Sequence, residues 1–304
     1  MNKPNTTMRS LAILAGGLMT IGSGTAVAQD VQGAADLPDT ITLTGTVRDF
    51  KERSEQGGHI DFEYRPAGGF GHYMGIVSDY LGDDDKPVFN STGQRLGSDW
   101  KDSSGRKMIS PKNYIASREG DRAGSFRSNA GAVHDANAFS QWFRDTPGVN
   151  VSKQLDLTLV RQDGSNVYVF DDKRDPTYAN LRGFFPINGK LFGNSAGNDK
   201  NFHFTFELQT EFVYDEGGGQ VFTFTGDDDV WVFVDGHLVI DIGGVHSAVS
   251  QTIDLDRLEW LEDGERYKLS FFFAERHRTQ SNFRIETTMQ LRTVELPPTA
   301  ALYD

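Results

Sequence analysis

Hydrophobic and polar residues alternate with a period of two through much of the second half of the chain. The clearest run covers 202–212, where phenylalanine or leucine occupies almost every second position and polar residues stand between them. Alternation of this kind predicts a half-buried antiparallel strand. Further strands are predicted at 222–224, 230–234, 237–241, 247–254, 267–273 and 283–291. Because these strands leave no room for helical crossovers, the pattern predicts an all-β, antiparallel β-sandwich.

The first half of the chain is less regular. Strands are predicted at 40–49, 151–161 and 166–170, and a short amphipathic helix at 136–144. Between them, residues 51–135 are rich in Gly, Asp, Ser and Arg and show few periodic runs. We interpret this half as strands and long loops wrapped on the same sandwich. The predicted organisation is one domain over 40–294, followed by a tail at 295–304.

The N-terminus has the pattern of a secretory signal peptide. Lys3 and Arg9 precede an apolar run from 11 to 21, and Ala26-Val27-Ala28 fits a small-residue cleavage site. Residues 1–28 are therefore predicted to be removed on export, which places the mature protein outside the cell, at the cell surface or in the periplasm. No later apolar run is long enough to predict a transmembrane helix.

Composition narrows the possible partners and chemistries. The chain carries a formal net charge of −13, which argues against nucleic acid and anionic membrane surfaces as partners. It contains no cysteine, which excludes disulfides, thiolate metal sites and cysteine nucleophiles. The His-Glu-x-x-His zinc motif is absent as well, and the number of carboxylates alone does not indicate glycoside hydrolysis. We therefore expect a protein that is not an enzyme.

Three consecutive aspartates, Asp227-Asp228-Asp229, stand directly before the predicted strand at 230–234. Adjacent carboxylates repel one another, so folding brings them together at some cost unless a cation sits between them. Oxygen ligands favour a hard cation, and calcium is the expected one. The alternative is a solvated turn, since Asp is a common turn residue.

The sequence around this triplet resembles the fibro-slime domain, a branch of the PA14 β-sandwich family. The resemblance is carried by the stretch from Gly226 to His246, which reads GDDDVWVFVDGHLVIDIGGVH. Phe273 to Glu286 (FAERHRTQSNFRIE) and Phe184 to Phe192 (FFPINGKLF) strengthen it. Coverage is good over about 150–292, which we take as the motif core.

The resemblance implies a calcium site. Many lectin-type PA14 domains bind calcium through two neighbouring aspartates joined by a cis peptide and an asparagine from a nearby loop. These ligands fall on Asp227, Asp228 and Asn282, and the open calcium positions would take a sugar diol. Asp229 stands where many PA14 domains have glycine, so it could add a ligand or only cap a turn.

Two further residues are candidates for ligand contact. His277 lies in the loop before Asn282 and could line the rim of the same site, or belong to an ordinary exposed loop. Trp231 alternates with the valines of its strand, so it could be a stacking platform for a sugar or second-layer packing.

The resulting functional prediction is a secreted, lectin-like carbohydrate-binding or adhesion module. Its expected partner is an extracellular glycan or matrix polysaccharide, held through a loop calcium. The alternative is a structural protein of an extracellular matrix or slime, in which calcium only stabilises a loop.

Overall fold

A computed structural model describes residues 37–293 of the chain. The predicted signal peptide, 1–28, and the predicted tail, 295–304, lie outside these residues. The described chain consists mainly of strands joined by turns and loops, and the strands of its main sheet pair in antiparallel fashion. The prediction of an all-β antiparallel fold is confirmed.

The strands and helices follow one another closely. The strands are β1 (Thr40–Phe50), β2 (Tyr73–Met74), β3 (Val77–Leu81), β4 (Pro87–Phe89), β5 (Gln94–Ser98), β6 (Trp100–Lys101), β7 (Lys107–Met108), β8 (Ser125–Ala130), β9 (Asn150–Arg161), β10 (Tyr168–Asp171), β11 (Phe204–Val213), β12 (Val221–Gly226), β13 (Asp229–Val234), β14 (His237–Ile242), β15 (Val249–Asp254), β16 (Arg266–Glu275), β17 (Phe283–Thr287) and β18 (Arg292–Thr293). The helical segments are α1 (Ala136–Phe139) and two 3-10 turns (Ala179–Leu181 and Leu255–Arg257).

One large sheet curls over so that two of its parts face each other, as in a sandwich. Its strand order is β15-β12-β17-β10-β9-β1-β11-β16-β13-β14-β3-β4, with β18 beside β11. Phenylalanines fill the space between the facing parts: the Phe224 and Phe271 ring centroids lie 5.5 Å apart, and those of Phe273 and Phe283 lie 5.1 Å apart. This aromatic core explains the alternation in the sequence, because every second side chain points into it.

The strand β13 is buried on both faces, because the segment around α1 covers the side that points away from the phenylalanine core. Trp142 and Phe143 of this segment pack against Trp231 at ring-centroid distances of 6.1 and 6.4 Å. The sequence predicted a helix over 136–144, but the helix ends after four residues, at Phe139. Trp142 and Phe143 pack against β13 from the turns that follow the helix.

The first half of the chain contributes more than loops. The strands β3 and β4 extend the main sheet, while β2, β5 and β8 form a three-stranded sheet and β6 and β7 a two-stranded one. Within residues 37–293, no helix is long and apolar enough to cross a membrane.

Candidate cation site

Two neighbouring strands bring the aspartate run and Asn282 together. The strand β12 ends at Gly226 and β17 begins at Phe283, and these two residues are paired in the antiparallel register. A Cβ at Gly226 would lie 2.1 Å from the Asn282 carbonyl oxygen, so the close approach requires glycine. One residue further along the chain, the peptide bond between Asp227 and Asp228 is cis.

The side chain of Asp227 is held by Asn282. The amide Nδ2 of Asn282 donates to Asp227 Oδ2 at 2.8 Å, and the Asn282 backbone N–H donates to Oδ1 at 2.5 Å. Asp227 is only 3% exposed. Burial raises the pKa of its carboxyl, although the bonds from Asn282 work in the opposite direction. Asp227 and Asn282, two of the predicted calcium ligands, therefore lie in direct contact, and their role as ligands stays a prediction.

Asp228 is buried without a basic side chain bonded to its carboxylate. Among residues 37–293, its oxygens accept backbone N–H groups only, from His246 at 3.3 Å and from Arg276 at 3.2 Å. Burial raises the pKa of Asp228 well above its usual range; the charge of Arg276 opposes this, and the neighbouring aspartates add to it. An ionised Asp228 is therefore electrostatically costly without a cation.

Asp229 has a different environment from the two residues before it. Arg276 donates to both of its oxygens, from Nε at 2.5 Å and Nη2 at 3.2 Å, and the Gly244 N–H adds a bond of 2.6 Å. Both Asp229 and Arg276 are fully buried. Because the guanidinium already neutralises this carboxylate, the possibility that Asp229 adds a metal ligand does not fit the geometry.

Two further buried carboxylates, Asp172 and Glu275, lie near Asp227 and Asp228. The sequence analysis did not select either of them as a metal ligand. Asp172 Oδ2 and Glu275 Oε2 have no hydrogen-bond partner within residues 37–293, and both side chains are almost fully buried. Burial raises the pKa of Asp172 to about 6, and the charge of Asp227 contributes. Burial, together with the charges of Asp228 and Asp227, raises the pKa of Glu275 well above its usual range.

The sequence offered only weak signals for these two residues. Asp171-Asp172 reads as an ordinary turn before Lys173. Glu275, just after the predicted strand at 267–273, could line the rim of the ligand site or belong to an ordinary exposed loop. Asp172 lies beside the start of β17, where the Phe283 N–H donates to its Oδ1 at 3.0 Å. The two residues are more than a hundred positions apart in the sequence. A contact of that range leaves no local pattern.

The other two predicted ligand contacts occupy different positions. His277 lies near the surface, with Nδ1 2.7 Å from Glu63 Oε2 and its ring 4.7 Å from that of Phe70. Trp231 is fully buried and donates from Nε1 to Asp241 at 3.0 Å. Its stacking role for a sugar does not fit this burial, and second-layer packing describes its position.

A separate group, Glu52, Glu63 and His203, brings its ligand atoms within 4.8 Å of one another and could hold a metal ion. A donor set that includes histidine suits a transition metal better than calcium. The guanidinium of Arg278 contacts both glutamates, with Nε 3.6 Å from Glu63 Oε1. A cationic group of the chain itself already occupies the space next to these carboxylates.

His203 also joins a serine and a glutamate in a hydrogen-bonded arrangement that resembles the catalytic triad of hydrolases. The expectation that the chain lacks a hydrolase elbow was wrong, because Gly193–Gly197 fits the Gly-x-Ser-x-Gly pattern. Ser195 Oγ lies 3.1 Å from His203 Nδ1, and His203 Nε2 lies 3.0 Å from Glu63 Oε1. However, Ser195 is 4% exposed and its hydroxyl accepts the Phe202 N–H, so it has a structural role in a turn.

The region around Asp227 and Asp228 therefore concentrates buried carboxyl groups whose ionisation is costly without a cation. Its members are Asp172, Asp227, Asp228 and Glu275, and none forms an ion pair with a basic side chain of the described chain. Their donor atoms are oxygens, and Asn282 adds an amide. Hard cations such as calcium prefer such ligands, and the unpartnered oxygens of Asp172 and Glu275 are what a cation-binding region would leave open without its ion.

Comparison with known proteins agrees with the family resemblance. Residues 188–296 match the family model of the PA14 domain. The chain is 43% identical to the protein psiD and 38% identical to the protein psiR, both of Dictyostelium discoideum, over 52% and 54% of its own length. It spans only 30% and 17% of those relatives. The resemblance to the PA14 family is thereby confirmed.

Solved structures are similar over smaller parts of the chain. The PA14 domain of the antifreeze protein MpAFP is 13% identical, with a TM-score of 0.24, over 33% of this chain and 57% of that domain. TmCBM61 in complex with β-1,4-galactotriose is 16% identical, with a TM-score of 0.20, over 41% of this chain and 81% of that one. At such TM-scores the likeness carries no argument.

Proposed function

We propose that this chain, which carries a PA14 domain over residues 188–296, is an exported, non-catalytic carbohydrate-binding and adhesion protein that uses calcium to hold a glycan. Asp227, Asp228 and Asn282 would ligate the ion. Bound calcium would offer its remaining coordination positions to paired sugar hydroxyls. The predicted signal peptide at 1–28 supports export.

The observation that carries the proposal is the uncompensated charge of the buried carboxylates. Asp227 and Asp228 are 3% and 4% exposed, yet no lysine, arginine or histidine side chain of the described residues pairs with either. The contrast with Asp229, which has Arg276, is direct. A divalent cation would neutralise Asp227 and Asp228, as the Arg276 guanidinium neutralises Asp229.

The surroundings of the pair also offer groups suited to sugar contact. His277 directly follows Arg276, whose backbone N–H binds Asp228, and the His277 ring lies 4.7 Å from that of Phe70. Phe70 and His277 are both partly exposed. Aromatic faces pack against the apolar C–H faces of sugars, while polar edges hydrogen-bond to hydroxyls.

Binding of the full mature chain to a glycan array, in calcium and then in a chelator, tests the proposal. We expect signals that disappear in the chelator, return with added calcium and are absent for Asp228→Asn. Asp163→Asn, in the turn between β9 and β10, is a matched control that should bind like the wild type. Glycan binding that survives the chelator would contradict the calcium-bridged mechanism.

The same experiment separates the structural alternative. If calcium raises the melting temperature while no glycan binds under any condition, the ion stabilises a loop and the protein is an assembly component. That outcome would retain the cation site and remove the carbohydrate.

A further inference from the structure

One segment of this acidic chain is basic. Residues 94–130 contain eight Lys and Arg but only four Asp and Glu, whereas the whole chain has a net charge of −13. The segment forms β5, β6, β7 and β8, which belong to the two small sheets beside the main one. Every residue of β8 is exposed. A local charge of opposite sign to the rest of the protein indicates a surface for an anionic partner.

Most acidic residues of the segment are already paired. Asp102 accepts from Arg106 at 2.6 Å, Asp99 lies 3.0 Å from Lys107 Nζ, and Asp121 pairs with Arg257 at 2.7 Å. Lys112 and Arg118 pair with Asp79 and Asp254 outside the segment. Four cations of the segment then have no ion pair among residues 37–293: Arg95, which donates to the Gly68 carbonyl at 3.0 Å, Lys101, Arg122 and Arg127.

Two aromatic residues directly precede two of these cations in the chain, Trp100 before Lys101 and Phe126 before Arg127. The ring centroids of Trp100 and Phe126 are 5.0 Å apart, and Phe126 is 42% exposed. Gly124 packs against the indole, since a Cβ there would lie 2.6 Å from a Trp100 ring carbon. The backbone therefore fixes the orientation of Trp100, which reduces the entropy lost when a ligand packs on it.

A cavity of about 200 Å³ adjoins Trp100. Its lining is mainly apolar and includes Met108 and Ile115. Arg122 and Asp121 stand at the same cavity, and the carboxylate of Asp121 is paired with Arg257. An apolar recess with a guanidinium beside it suits a ring that has an apolar face and a carboxylate substituent.

We propose that this surface binds an acidic polysaccharide whose sugars carry carboxylates. The basic patch is defined by Trp100, Lys101, Arg122, Phe126 and Arg127. The aromatic pair packs against the C–H face of a uronic acid, and the guanidinium groups form bidentate bonds with its carboxylate. Neutral glycans lack the anion and bind weakly here.

The basic patch lies close to the candidate cation site but does not share its ligands. The backbone of His246 donates to Asp228, the His246 ring is 5.7 Å from that of His72, and His72 Nδ1 is 3.7 Å from Asp99. Asp99 directly precedes Trp100. The patch needs no calcium, so its binding is expected to persist when the cation site is disabled.

Titration of the full mature chain with a fluorescent hyaluronan oligosaccharide, in a chelator, tests the proposal. Carboxyl-reduced hyaluronan of the same length is the neutral probe. We expect hyaluronan to bind at least about tenfold more tightly than the reduced probe, and this preference to shrink as salt is raised. Arg122→Gln/Arg127→Gln should lose the preference, whereas Asp228→Asn should retain it.

The matched control is Arg266→Gln/Arg292→Gln, which removes the same charge from β16 and β18 of the main sheet. Equal affinity for the two probes would overturn the proposal, and so would an equal loss in the control variant. Self-association of the wild type that Arg122→Gln/Arg127→Gln abolishes, without hyaluronan binding, would assign the patch to a second copy of the chain. Because these measurements exclude calcium, their failure is distinct from failure of the proposed calcium-dependent binding.

Discussion

Three consecutive aspartates receive three different environments. In the described part of the chain, Asp227 is hydrogen-bonded to Asn282, Asp228 accepts only backbone N–H groups, and Asp229 forms a buried ion pair with Arg276. The chemistry of each carboxylate is set by the partner that the fold supplies, since the side chains themselves are identical. The candidate ligands are therefore the two whose charge remains uncompensated.

Asp228→Asn should remove the response of the protein to calcium. At a calcium concentration one hundred times the Kd, wild-type unfolding free energy should rise by about 2.7 kcal/mol, because the ion binds only the folded state. The variant should show almost none of this gain, while Asp163→Asn should show all of it. Urea denaturation with and without calcium provides the measurement. A full calcium response in Asp228→Asn would contradict its assignment as a ligand.

Arg276→Gln should destabilise the protein with or without calcium. Its guanidinium pairs with Asp229, and removal of one member of a fully buried ion pair costs about 3–5 kcal/mol. Arg174→Gln, whose side chain is 83% exposed, should cost less than about 0.5 kcal/mol. Denaturation of the two variants at one pH makes the comparison. A small effect of Arg276→Gln would contradict the structural role given to Asp229.

At the scale of elements, the pairing of β12 with β17 creates the candidate site. The last residue of β12 pairs with the first residue of β17, so the loops that contain Asp227 and Asn282 meet at one end of the sheet. The approach of the two backbones leaves no room for a side chain at Gly226.

Gly226→Ala should therefore affect the strands and the site together. The added Cβ would lie 2.1 Å from the Asn282 carbonyl, so the backbones must separate and Asn282 must move away from Asp227. We expect lower stability and a weaker calcium response in the same variant. Thr252→Ala, on the neighbouring edge strand β15, is the control. Melting curves of both variants with and without calcium provide the measurement. If Gly226→Ala is destabilised but keeps its full calcium response, calcium binding does not require the close approach of β12 and β17.

The sequence predicted the elements of the second half well and their neighbours poorly. Alternation located β11, β13 and β16, because burial on one face leaves a local pattern. It could not show that β17 lies beside β12, since that contact depends on how the whole sheet folds over. The burial of Glu275 and Asp172 could not be predicted for the same reason, because segments distant in the sequence cover them. The alternation also gave Trp231 two possible roles, and only the segment around α1 decided between them.

At the scale of the whole molecule, charge is distributed unevenly. The net charge of −13 argued against anionic partners, yet the segment 94–130 is basic and carries the proposed acidic-glycan surface. The molecule also contains two groups that differ in donor chemistry, the carboxylates around Asp228 and the group of Glu52, Glu63 and His203.

Metal preference should distinguish these two groups in the intact chain. Calcium should stabilise the protein through the oxygen donors, because the second group includes a histidine and already holds Arg278. Glu63→Gln should leave the calcium-induced rise in melting temperature unchanged, whereas Asp228→Asn should abolish it. Loss of the calcium response in Glu63→Gln would place the ion at Glu52, Glu63 and His203, and would contradict calcium binding at Asp228.

The most direct measurement is a crystal structure of the mature protein grown with calcium, in which anomalous scattering locates the ion. We predict one calcium within about 2.3–2.6 Å of oxygens from Asp227, Asp228 and Asn282, with open positions facing solvent. A calcium bound at Glu52 and Glu63, or no ion beside Asp228 at saturating calcium, would contradict the central claim.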